Sequence, residues 1–239
     1  MSTVPEDLFG EAVASRYDEL AADMFDVAVV GPAVDFLAEL AGDGAALELG
    51  IGTGRIALPL SARGVRVAGI DLSEAMVARL RAKPGAEQIE VAIGDFATTT
   101  VDGTFSLAYL VFNTIGNLTT QEEQAACFRN AAAHLAPGGC FVIELGVPGR
   151  RPLEVFDLGD THVGVDEYDA ASQRLVSHHF TLVDGGWERR SIPFRSVGPG
   201  ELDLMAQLAG LTLRERWGGW NREPFTSERT KHVSVWEKR

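Results

Sequence analysis

From residue 45 onward, short apolar runs alternate with longer segments whose apolar residues recur every three to four positions. A strand buried on both faces reads as a continuous apolar run, and a helix laid over it shows one apolar stripe. The alternation therefore predicts βα units wound around a parallel sheet. Strands are expected over 45–49, 66–70, 89–93, 105–112 and 140–145, and helices over 54–62, 74–81 and 121–135. Ser73 is placed to cap the second of these helices. Thr120 and Glu123 form a capping box for the third, and Pro137-Gly138-Gly139 stops it. Pro59 should kink or shorten the first.

Ahead of this region, 11–24 and 32–40 carry helical periodicity. Behind it the texture changes. Residues 174–183 and 187–197 read as two strands joined at Asp184-Gly185-Gly186, followed by a helix over 201–209 and strands over 212–217 and 232–236. A hairpin of that length cannot bury a core of its own, so it is expected to cap the open end of the sheet. The predicted architecture is one α/β domain over 1–239. It comprises a helical lid (1–44), a nucleotide-binding core (45–146), a β-hairpin cap insertion (147–198) and a C-terminal helix with strands (199–239).

Composition narrows the function. Hydrophobic residues make up 46% of the chain, enough for a core. The net charge of −13 weighs against nucleic acid, whose affinity comes from phosphate neutralisation by Lys and Arg, and against an anionic membrane surface. Cys127 and Cys140 lack metal-ligand spacing, so they are expected as buried, reduced thiols, and no metal is expected. An acidic, polar N-terminus without an apolar stretch points to a cytoplasmic protein, as a monomer or homodimer.

The most informative segment is Glu48-Leu49-Gly50-Ile51-Gly52-Thr53-Gly54-Arg55, where three alternating glycines follow a strand and open a helix. Such a turn brings bare backbone against a ligand. A dinucleotide fold wants its third glycine at position 55 for close helix packing, and the Arg there should crowd that contact. Asp71 ends the second strand, where a carboxylate can accept both ribose hydroxyls of an adenosine. Gly94-Asp95-Phe96 follows the third strand, where an acid can meet the adenine amine and a ring can cover its face. All three signals fall at carboxyl ends of successive strands, where open α/β sheets bind ligands.

Taken together, these motifs resemble the class I S-adenosylmethionine (SAM)-dependent methyltransferases. Glu48 to Gly54 matches the first motif of that family, Asp71-Leu72-Ser73-Glu74-Ala75-Met76 the second, Asp95-Phe96 the third, and Pro137-Gly138-Gly139 the turn before strand five. The resemblance implies a doubly wound, seven-stranded, mostly parallel sheet with an antiparallel last strand. It also implies a cofactor site built from Tyr17, Glu48, Gly50, Gly52, Asp71, Leu72, Met76, Asp95, Phe96 and Phe112. Gly50 and Gly52 would line the methionine and sugar, Asp71 would hold the ribose, and Asp95 and Phe96 would surround the adenine. S-adenosylhomocysteine (SAH) would be the product.

Methyl transfer from a sulfonium needs alignment and exclusion of water more than covalent help, so the absence of a catalytic triad is no objection. Phe112-Asn113-Thr114-Ile115-Gly116-Asn117 follows strand four, the position that faces the methyl in this family, and Tyr17 lies on the helix expected to cover the cofactor. Tyr17, Asn113 and Asn117 are therefore the candidate catalytic residues. The segment is similar to that of N-methyltransferases of nucleotide-linked aminosugars, which carry a His where this chain has Asn117, a side chain that cannot act as a base near neutral pH. His178 and His179 lie on opposite faces of the predicted cap strand, Glu144 ends strand five, and Trp217 to Arg222 forms a glycine-hinged aromatic loop. The expected reaction is methylation of an amine, or a hydroxyl, on a small-molecule acceptor in bacterial specialised metabolism. Two rivals stay open: an NAD(P)-dependent oxidoreductase, against which Arg55 weighs, and a non-catalytic SAM-binding regulatory protein.

Overall fold

The computed structural model describes residues 9–20, 22–149 and 151–239, so residues 1–8 of the expected lid lie outside the described residues. Helix α1 (Glu11–Leu20) is shorter than the predicted 11–24, and a 3-10 turn at Ala22–Phe25 leads into α2 (Val27–Ala41). Helix α2 begins well before the expected residue 32, with Pro32 inside it. Asp26 caps it by accepting the Ala28 N–H at 2.8 Å. Val34, Phe36 and Leu37 are buried under the sheet, and that burial offsets the hydrogen bond Pro32 cannot donate.

The core follows as β1 (Ala45–Leu49), α3 (Ala57–Ala62), β2 (Arg66–Asp71), α4 (Glu74–Arg81), β3 (Glu90–Ile93), β4 (Phe105–Leu110), α5 (Gln121–His134) and β5 (Leu135–Gly146). Both predicted caps are made: Ser73 Oγ accepts the Met76 N–H, and the Thr120–Glu123 box closes in both directions. Helix α3 starts at Ala57, so Pro59 sits in a first turn where its missing N–H costs nothing. Phe105 pairs with Leu135 and Leu107 with Cys140, so the Pro-Gly-Gly segment loops out as a bulge at the start of β5.

Where a lone hairpin was expected, the cap is a four-stranded antiparallel sheet: β6 (Leu153–Leu158), β7 (His162–Asp169), β8 (Arg174–Val183) and β9 (Gly186–Arg195). The predicted hairpin is β8–β9. Strands β6 and β7 escaped notice because β6 is exposed along its whole length and β7 interleaves Gly164, Asp166 and Glu167 with its apolar residues. Pairing with β8 makes β7 a strand, where propensity does not. The chain then returns through α6 (Pro199–Leu208), β10 (Leu211–Trp217) and β11 (Lys231–Lys238).

The main sheet runs β10-β11-β5-β4-β1-β2-β3. Strands β1 to β5 pair in parallel, and β11 is antiparallel to both neighbours, as the motifs implied. One face buries Phe128, Phe141 and Trp236, whose rings meet edge-on or tilted at 5.1–6.2 Å, and the other buries Leu37, Ile56, Leu60 and Val142. Strand order reverses between β1 and β4, which opens a crevice at their carboxyl ends.

Candidate active site

That crevice holds a cavity of about 380 Å³. Its floor is the glycine turn after β1, where the Gly50 and Ile51 N–H groups donate to the Ile70 carbonyl at 2.8 and 3.1 Å. Gly50 and Gly52 have φ of 78° and 54°, in the left-handed region where side chains are strained. A Cβ on Gly52 would meet only Met76 Cε, at 3.6 Å, so this backbone is bare toward the cavity. A Cβ on Gly54 would fall 2.3 Å from Leu80 Cδ1. Gly54 therefore provides the close approach to α4, and Arg55 does not crowd it. Arg55 lines the cavity instead, its guanidinium carbon 3.2 Å from the centre of the Phe112 ring.

The three predicted carboxylates take different positions. Asp71 accepts the Gly52 N–H at 2.6 Å and the Ser73 N–H at 2.9 Å, so it ties the glycine turn to the start of α4 while keeping lone pairs for a ligand. Burial pushes its pKa up, against the pull of those two N–H groups. Asp95 is exposed and accepts the Ala97 N–H at 2.8 Å, with Phe96 buried beside it. Glu48 is buried, accepts a hydrogen bond from the Tyr109 hydroxyl at 3.0 Å, and is pushed up to about 8 by desolvation. All three line the cavity together with Leu72 and Met76.

The loop after β4 is bent sharply. Phe112 and Asn113 have φ of 54° and 61°, a costly conformation for two non-glycine residues in succession. Glu144 braces it: its carboxylate accepts the Phe112 N–H and is paired with Lys231, both at 3.2–3.3 Å. Glu144 itself lines neither this cavity nor the one beside the cap, so it is a supporting group. Asn117 faces the cavity, and its buried Oδ1 has no hydrogen-bond partner among the described residues. Asn113 does not join it. Its Oδ1 accepts the Gly146 N–H at 2.7 Å, and the residue lines the neighbouring cavity. Of the two candidate asparagines, only Asn117 lines the first cavity, because the left-handed turn sends the two side chains to different places.

Helix α1 covers the cavity and brings Tyr17 to its wall. The next residue, Asp18, accepts from Thr53 Oγ1 at 2.6 Å and pairs with Lys83 at 2.5 Å, which latches the lid to the glycine turn. Ser73 Oγ donates to the Phe9 carbonyl at 2.6 Å, and Phe9 also lines the cavity. From the cap, Ile192 and Phe194 of β9 complete the wall. A second cavity of about 630 Å³ lies against the cap sheet, bounded by Tyr168, Asp166, Glu154 and Arg229 among others, and it shares Phe112 and Phe194 with the first.

Neither cap histidine lines either cavity. His178 contacts Ser191 and Glu167, and His179 packs against His162 and Phe156. The aromatic loop also turns away, with Trp220 edge-on to Phe36 at 5.5 Å.

Comparisons with known proteins agree with this geometry. The methyltransferase-domain family matches residues 46–139. Over 94% of this chain and 98% of its own, the cypemycin N-terminal methyltransferase of a Streptomyces species is 30% identical. The structure of the CcbJ methyltransferase from Streptomyces caelestis superposes with a TM-score of 0.86 at 35% identity, covering 98% of this chain and 99% of that one. This chain belongs to the class I SAM-dependent methyltransferases.

An N,N-dimethyltransferase of dTDP-3-amino-3,4,6-trideoxy-α-D-glucopyranose from Streptomyces venezuelae is 29% identical over 77% of the chain and 79% of its own length. The methyltransferase described here takes SAM as its cofactor, which closes the dinucleotide alternative. Its cavity also contains groups that the motifs did not point to: Phe9, Arg55, Ile192 and Phe194. Arg55 was visible in the sequence but was weighed only as an obstacle to packing. No described helix is long and apolar enough to cross a membrane.

Proposed function

We propose that this enzyme transfers the SAM methyl group to the amine nitrogen of a small natural-product acceptor. The observation that carries the reading is Asn117 Oδ1, a buried acceptor without a partner on the cavity wall after β4. A neutral amine has an N–H to donate there, and that hydrogen bond would turn its lone pair toward the cofactor. The names of the relatives support the choice, since they describe methylation at a peptide N-terminus and at an aminosugar nitrogen.

The cavity fits the cofactor: bare backbone at Gly52, a carboxylate at Asp71, and an acid and ring at Asp95 and Phe96 stand in the order that sugar and base require. When bound, SAM supplies a methyl group already activated by its sulfonium. Asp71 would hold the ribose hydroxyls, Leu72 and Met76 would flank the adenosine, and Asp95 with Phe96 would frame the adenine. Glu48, Phe112 and Tyr17 would enclose the methionine end and exclude water. The body of the acceptor would lie in the second cavity, where Glu154, Asp166 and Glu228 face Arg151 and Arg229. Phe112 and Phe194, common to both cavities, would form the aperture between them. Asn117 cannot act as a base near neutral pH, so in this reading the amine would lose its proton to solvent before it enters.

The test is a panel of paired acceptors, each amine with its hydroxyl counterpart, incubated with SAM and read by mass spectrometry. Methylated amines with unreacted alcohols are expected. Methylation of alcohols alone would overturn the reading.

A further inference from the structure

Arg55 is a half-buried cation with no ion pair among the described residues. Its guanidinium carbon lies 3.2 Å from the centre of the Phe112 ring and 5.8 Å from that of Phe25, and its Nη1 is buried with no hydrogen-bond partner among the described residues. The surrounding carboxylates are engaged elsewhere. Asp18 is held by Thr53 and Lys83, Glu144 by Lys231 and the Phe112 N–H, and Glu48 by Tyr109. Burial also lifts Glu48 to about 8, so at neutral pH it is mostly uncharged and offers Arg55 little compensation. A guanidinium nitrogen buried without a partner costs free energy unless an acceptor completes it, and an anion does so best.

The direction of the cofactor indicates which anion. The strands stand in the order β4-β1-β2-β3, with Asp95 and Phe96 after β3, Asp71 after β2 and the glycine turn after β1. A SAM molecule with adenine at β3 and ribose at β2 must point its amino-acid end toward β1 and β4. Arg55 lines the cavity there, its guanidinium carbon over the ring of Phe112 in the loop after β4.

Resting on the SAM reading of this cavity, we propose that Arg55 binds the α-carboxylate of the cofactor's methionine moiety, with Phe112 as the platform that fixes its plane. A planar guanidinium can meet a carboxylate through two parallel N–H donors, and stacking on an aromatic face limits its rotation beforehand. The left-handed backbone at Phe112 has a role in this arrangement: it brings the ring to within 3.2 Å of the guanidinium carbon.

The test compares two ligands by isothermal titration: SAH, and its decarboxylated analogue S-adenosyl-3-thiopropylamine, which lacks only the carboxylate. The wild-type protein should prefer SAH on the order of 10- to 100-fold, the range of a charge-assisted pair. Arg55→Met should bind the analogue about as well as the wild type does, and its preference for SAH should vanish. If Arg55→Met does not fold, Arg55→Gln, which retains a donor but no charge, should reduce the preference by at least several-fold. An Arg55 variant that keeps the full wild-type preference, or a wild type that does not distinguish the ligands, overturns the proposal. A wild type that binds neither ligand would overturn the cofactor assignment instead.

Discussion

Replacing Glu48 by Gln should flatten the pH dependence of stability in the ligand-free protein. The side chain is buried beneath the glycine turn, and desolvation lifts its pKa from 4.5 to about 8, even though the Tyr109 hydroxyl and the charge of Arg55 both pull it down. Between these two values the folded protein holds a proton that the unfolded chain has released. Stability from this group is therefore fully present below pH 4.5 and is lost as pH rises toward 8. At about 1.4 kcal/mol per pH unit, the loss is on the order of 3 kcal/mol by pH 7 and about 5 kcal/mol above pH 8. Gln has the shape of the protonated acid and can still accept from Tyr109, so the variant should match the wild type near pH 5. Denaturant titrations of both proteins at pH 5, 6, 7 and 8 measure the divergence directly. By thermal melting it should approach roughly 10–20 °C at the alkaline end, given about 2–4 °C per kcal/mol for a chain of this size. Other titrating groups are common to both proteins and cancel in the difference. Parallel stability curves would refute the reasoning, because Glu48 would then be ionised in the fold at no cost.

Asp71→Asn should weaken SAH binding on the order of 10- to 100-fold in calorimetry through loss of a charged ribose acceptor, while the Gly52 and Ser73 contacts cost about 1 kcal/mol of stability; unchanged affinity in the folded variant would remove the ribose role. Gly52→Val should abolish SAH binding, since it strains a left-handed position and fills the side bare of protein atoms; retained affinity would place the cofactor elsewhere. With the true acceptor, kcat/KM should rise along the acceptor's own amine titration, and Asn117→Ala and Tyr17→Phe should lower the rate without moving the inflection. A break near the ordinary histidine value of about 6.5 that one His→Ala variant erases would point to a hydroxyl acceptor and an enzyme base.

The parallel core was legible because its local signals agree with its tertiary ones: Ser73 and Thr120 cap where the apolar period begins, and Asp71 ends a strand buried on both faces. Three features were not. Strand β6 carries apolar residues that remain exposed, so burial did not write a pattern into it. The left-handed bend at Phe112 and Asn113 falls on two residues that give no hint of positive φ, because the brace from Glu144, thirty-odd positions away, imposes it. The role of Gly54 was assigned to position 55, since the turn that brings Leu80 against the Gly54 Cα is set by the packing of α4 and not by glycine spacing.

The common wall formed by Phe112 and Phe194 also bears on how such an enzyme can change over time. The first cavity is walled chiefly by the carboxyl ends of the parallel strands and the second chiefly by the cap and the loop at 227–230, so most substitutions touch one and not the other. If the second cavity takes the acceptor as proposed, residues such as Glu154, Asp166 and Tyr168 can drift, and with them the shape and charge accepted, without touching the first cavity. The two shared rings lack that freedom, because a change at either alters both chambers at once. Diversification of acceptors in such a scaffold should run through the cap sheet and halt at these two positions.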